Sequence, residues 1–146
     1  MPRGQNMKER YGGLNGSFSA QLQQFAEAAK EAMDLTFREV VFLVGQRLVT
    51  MSPVDTGRFR SNWQFSTGAP ALGEIAEIEG AGETLDRLLL AAGDLTAGEV
   101  AHIVNNLPYA IPLEYGHSSQ APGGMVRVTV ADFQRIVEEA IRIHRA

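Results

Sequence analysis

The chain has 146 residues, 45% hydrophobic and 21% charged, with a net charge of −4, the profile of one ordinary globular domain. It contains no cysteine, which excludes disulfides, thiol catalysis and cysteine-based zinc sites and fits a reducing compartment. The acidic balance makes it a poor primary nucleic-acid binder. The opening MPRGQNMKERYGG lacks the apolar core of a secretory signal, and no apolar run approaches the roughly 20 residues of a membrane helix, so a soluble protein with no membrane partner is expected.

Residues 1–16 hold Gly4, Gly12, Gly13, Gly16 and Asn15 and few apolar side chains, which predicts a flexible N-terminal arm. Residues 17–146 read as a single domain. Ser17 or Ser19 can cap a helix. Phe25, Ala29, Met33, Phe37, Val40, Val44, Leu48 and Met51 recur at three- and four-residue steps, so they share one face of a helix over about 18–51, roughly 50 Å long. From Phe37 to Val44 this helix is apolar nearly all round, with Val41, Phe42 and Leu43 off the main stripe. That pattern implies burial on several sides and, in so small a protein, a partner subunit over part of the helix.

Pro53 disfavours helix at Ser52, Asp55 can accept hydrogen bonds from its own turn, and Gly57 can take positive φ, so SPVDTG predicts a reversal. RFRSNWQFS alternates, with Phe59, Ser61, Trp63 and Phe65 against Arg58, Arg60, Asn62 and Gln64, and predicts a half-buried strand. EIAEIE, 74–79, reads as a second strand. Residues 80–98 read as an insert with a short helical run from Leu85 to Ala92, and its GAG is too short and common to mark a phosphate loop. VAHIVN, 100–105, predicts a third strand and MVRVTV, 125–130, a fourth. Thr129 and Asp132 have capping-box spacing, and Phe133, Ile136, Val137, Ala140 and Ile141 give a closing amphipathic helix. The expected fold is α+β: an antiparallel or mixed four-stranded sheet covered on one face by the long N-terminal helix and the C-terminal helix.

Between the third and fourth predicted strands lies NNLPYAIPLEYGHSSQAP, 105–122. Glu114 and His117 are three apart, and Asp55 and His102 are further candidates for a metal or acid–base site. Their spacing matches no HExxH, paired-histidine or GxSxG arrangement, so a small hydrolase using Glu114 and His117 is only a distant alternative, and no cofactor or metal is expected. The stretch reads better as a fitted surface. Pro108, Pro112 and Pro122 restrict the backbone, and Tyr109 and Tyr115 are amphipathic anchors. Asn105, Asn106, Ser118, Ser119 and Gln120 can satisfy irregular backbone, while Gly116, Gly123 and Gly124 permit turns.

SPVDTGRFRSNW, followed about fifty residues later by NNLPYA, LEYGHS and QAPGGMVR and then a closing helix, resembles a family of bacteriophage tail components. Its members are the small neck or tail-completion proteins of tailed phages, and the resemblance runs from about Phe18 to the C-terminus. It implies a structural virion protein rather than an enzyme, assembled in the bacterial host cytoplasm and located at the neck or tail. By that resemblance the chain forms a ring, six-fold in the family, through head-to-tail contacts. Its partners would be copies of itself, the head connector, and a tail terminator or tail-tube protein, with DNA only as passing cargo. A tail terminator capping the tube is the alternative within the same class. The expected subunit or partner contacts are Asp55, Arg58, Arg60, Trp63, Asn106, Tyr109, Glu114, Tyr115, His117 and Gln120, with Arg58 and Arg60 pairing to Asp55 or Glu114.

Overall fold

The computed structural model describes residues 18–145, and the arm expected at 1–16 lies outside the described residues. Helix α1 spans Phe18–Met51, in line with the helix predicted over about 18–51. It ends where Pro53 forbids continuation. There Ser52 turns its hydroxyl back to Leu48 O (2.6 Å) and receives the Trp63 indole N–H (2.7 Å), so the terminus is sealed inside the protein. A single 3-10 turn, Arg60–Asn62, leads into strand β1, Trp63–Thr67. Helix α2, Ala81–Ala92, precedes strand β2, Ala101–Asn105, and then come short helices α3, Ala110–Glu114, and α4, Val126–Ala131, and the closing helix α5, Phe133–His144.

Among the described residues the sheet has two strands, not four. β1 and β2 pair antiparallel, Trp63 opposite Asn105 and Thr67 opposite Ala101. Two predicted strands are therefore corrected. EIAEIE joins no ladder. Its Ile75 N–H and C=O are taken by the side-chain amide of Asn62 (2.7 and 3.1 Å), which replaces a neighbouring strand, while Glu74 and Glu79 pair with Arg58 and Arg87. MVRVTV is helical. Three valines favour a strand, but such propensity is weak beside packing. The helix places Met125 (1% exposed) and Thr129 (3%), one turn apart, into the core.

The strand predicted over RFRSNWQFS begins only at Trp63, because Phe59 to Asn62 winds as a tight turn with Phe59, Ser61, Asn62 and Trp63 all buried. Asp132 begins α5 without a side-chain cap. Its carboxylate pairs instead with Arg47 of α1 (2.6 Å), and Thr129 bonds back to Met125 O, so the expected capping box does not form.

The main core joins Leu48 and Val49 of α1 to Phe59, Trp63, Leu88, Leu107, Ala121 and Met125; a second cluster gathers Val41, Ala92 and Leu95. Residues 80–98 therefore supply core side chains rather than decorating the surface. Arg87 welds them to β1, donating to Ser61 O (2.9 Å) and Trp63 O (3.0 Å) and pairing with Glu79. No helix among the described residues is long and apolar enough to cross a membrane.

Candidate functional site

The two motif blocks, fifty residues apart in sequence, meet at the C-terminal end of α1. Gln120 reaches the first block as a strand would: its Oε1 accepts Val54 N–H (3.0 Å) and its Nε2 donates to Val54 O (3.2 Å). Asn105 donates to Phe59 O (2.8 Å), and the Tyr109 ring lies against Phe59, centroids 6.1 Å apart. Asn106 donates to Ala71 O and Gly73 O, each at 2.9 Å. The amides of this stretch are thus spent on irregular backbone within the chain, the use their residue types suggest.

Glu114 organises the second block. It sits at the end of α3, and its side chain is only 16% exposed. Oε1 accepts the N–H of Met125 (2.9 Å) and Val126 (2.8 Å), and Oε2 accepts the N–H of Arg127 (3.0 Å) and its Nε (3.1 Å). The Arg127 guanidinium also donates to Glu114 O. One carboxylate therefore satisfies the first backbone donors of α4, meeting both its orphan N–H groups and its dipole. Burial alone raises the Glu114 pKa, but the backbone N–H groups of Arg127, Val126 and Met125 and the Arg127 side chain outweigh it and hold the carboxyl below its ordinary value.

The turn that delivers α4 to this carboxylate needs glycine. Gly124 has φ +85°, and a Cβ there would lie 2.5 Å from Glu114 Oε2 and also strike its carbonyl oxygen; Gly116 has φ +87°, and its Cβ would lie 2.7 Å from Pro122 O.

The remaining expected contact residues separate into three groups. Trp63 is core, 4% exposed, and is no surface contact. Arg58 pairs with Glu74 (2.6 Å) rather than Asp55 or Glu114. Arg60 Nε is buried with no hydrogen-bond partner among the described residues. Asp55 is exposed, and Thr56 rather than Asp55 closes the turn, its hydroxyl accepting Arg58 N–H at 3.2 Å. At the surface stand Tyr109 (41% exposed), Tyr115 (66%) and His117, with Arg127 stacked 4.8 Å over the Tyr115 ring.

His117 forms no hydrogen bond with Glu114, whose oxygens both face the α4 N-terminus. A carboxylate engaged in this way is a capping group. Residue spacing does not reveal Arg127 or Arg87 as anchors: their partners lie in other elements, so no local pattern marks them. Set beside known proteins, the chain matches no family model, no curated protein and no solved structure.

Proposed function

We propose that this chain is a structural subunit of a tailed-phage virion, a neck or tail-completion protein that joins the head connector to the tail as a six-fold ring. The observation that supports this reading is the corner just described. The two blocks that carry the resemblance form one hydrogen-bonded unit, and among the side chains it exposes are the aromatic and apolar Tyr109, Ile111 (71% exposed) and Tyr115. Rigid aromatic anchors on a braced scaffold suit recognition of another protein. The net charge of −4 fits a conduit that lets DNA pass without holding it.

The test is electron microscopy of a lysate whose phage carries a stop codon in this gene. Filled heads lying apart from tails, converted to whole particles by the purified protein, establish the joining role. Tubes of uncontrolled length assign the protein to the tail terminator instead, and normal infectious particles overturn both. Tyr115→Ala then locates the contact: the variant should keep the wild-type circular dichroism and fail to restore particles. An unfolded variant would mean that Tyr115 braces the fold.

A further inference from the structure

The two strands of the sheet have different outer edges. Gly68 donates to Val100 O (2.9 Å), and the register carries that phase along the ladder, so Ser66 and Gln64 exchange bonds with His102 and Val104. The backbone groups of Trp63 and Phe65 on β1, and of Ala101 and Ile103 on β2, therefore point away from the partner strand. On β1 this edge is closed at both ends. The Arg87 guanidinium takes Ser61 O and Trp63 O, and Thr67 O accepts Ala69 N–H (2.9 Å). On β2 the N–H and C=O of Ala101 and Ile103 form no hydrogen bond among the described residues. Its sequence AHIVN also carries no lysine or proline of the kind that blunts an open edge.

Beside that open edge lies an apolar groove of about 490 Å³. Ala101 and Ile103 line it from the sheet, and Val40, Val44, Val130 and Phe133 line it from the helices. Side chains alternate across a strand, so a strand laid along β2 turns every second side chain to the face that Ala101 and Ile103 share. The charged residue that lines the groove is Glu99, two residues before β2. One of its oxygens accepts Thr96 N–H (2.9 Å), and it has no ion-pair partner among the described residues.

We propose that β2 takes an extended segment of a partner protein as a third strand, apolar at alternate positions and carrying a Lys or Arg for Glu99. The open edge selects a strand, because an extended backbone presents donors and acceptors at the two-residue spacing of Ala101 and Ile103 while its alternate side chains enter the groove. This chain's own sequence is a poor donor. Residues 1–17 contain Met1, Met7, Tyr11 and Leu14, no two of them two apart. Residues 72–79 alternate better, but they carry Glu74, Glu77 and Glu79 and would bring like charge to Glu99. A basic segment of another protein complements the groove in both pattern and charge.

Amide hydrogen exchange of the full chain, followed by NMR, tests the edge. Ala101 and Ile103 should exchange at least about tenfold faster than His102 and Val104, whose N–H groups are held in the ladder. The probe is the peptide acetyl-Lys-Val-Thr-Val-Thr-Val-Lys-amide. At millimolar concentration it should slow Ala101 and Ile103 to the rate of their neighbours and shift the signals of Val130 and Phe133. N-methylating either its valines or its threonines removes one alternate set of N–H groups. One set should abolish binding and the other should leave it, since only alternate amides face β2. Val130→Asp, at a position 66% exposed, should weaken the peptide about tenfold and keep the wild-type thermal transition. Glutamates in place of the terminal lysines should weaken binding, and Glu99→Lys should reverse that preference.

Slow exchange of Ala101 and Ile103 in the free chain overturns the proposal. If it is independent of concentration the chain covers its own edge, and if it grows with concentration a second copy does. No protection by the peptide, or indifference to both methylations, overturns it equally. A glutamate-ended peptide that binds as well as the lysine-ended one overturns the basic partner. No phage particle enters these measurements, so their failure leaves the virion reading standing.

Discussion

The corner around Glu114 and the outer half of α1 answer the same question in opposite ways. The corner is rich in polar and aromatic residues and reads as an interface, yet its amides and its buried carboxylate are engaged within the chain: Gln120 on Val54, Asn106 on Ala71 and Gly73, Glu114 on the start of α4. The outer half of α1 reads as one end of an ordinary amphipathic helix, and its Leu22, Phe25 and Met33 are exposed. Hydrogen-bonding capacity in a loop is commonly consumed by the loop's own backbone. An apolar stripe can only be consumed by a neighbour. The corner is therefore scaffold with a few aromatic tips, and the helix is the open surface.

That contrast requires substitutions in the corner to cost stability and substitutions of the exposed apolar residues on the outer helix to cost little. The largest effect is expected from Gly124→Ala. The residue would hold a non-glycine side chain at positive φ and push its Cβ into Glu114, so a loss of about 3 kcal/mol or more is expected in urea unfolding. Glu114→Gln comes next, at about 2–3 kcal/mol, because an amide cannot accept from three backbone donors and an arginine together.

The same carboxylate gives a pH signature. Its folded-state pKa is depressed, so its contribution is complete above the ordinary carboxylate range and is lost as pH falls through the folded value. The stability gap between wild type and Glu114→Gln should thus be widest at neutral pH and should narrow in acid. A gap that does not change with pH would mean that the charge is not what caps α4.

Gln120→Ala is a milder probe. It removes two solvent-accessible bonds to Val54 and should cost about 1 kcal/mol by thermal or chemical denaturation. The smallest effect belongs to the other region: Phe25→Asp, 74% exposed at the wild-type residue, should shift the stability of the core by less than about 0.5 kcal/mol. If it destabilised the core as much as Glu114→Gln does, the outer helix would be part of the packed fold and the contrast would collapse.

Local pattern carried much of the fold. The unbroken three- and four-residue apolar period from Phe25 to Met51 marked α1, with Pro53 marking its stop. Alternation located β1 and β2 within a few residues, and the closing helix followed from Phe133, Ile136 and Ala140. The turn at Gly57 was legible because positive φ selects glycine. Two strands were misread for one reason: what decided them lies far away in sequence. Val126, Val128 and Val130 alternate as a strand does, but the carboxylate that starts their helix is 12 residues upstream, and the amide that satisfies Ile75 is 13 residues before it.

The candidate site divides along the same line. Its residue types announce a shaped, proline- and glycine-braced surface, since ring closure and the missing Cβ act on their own backbone wherever they stand. Which residue holds which is a matter of three-dimensional neighbourhood. Arg58 went to Glu74, Trp63 to the core and Glu114 to Arg127, because ion pairs and packing are chosen by distance in the fold. Periodicity likewise established that α1 has an apolar face. That Val41 and Leu48 are buried while Leu22, Phe25 and Met33 are exposed is a fact of tertiary packing that no local pattern encodes.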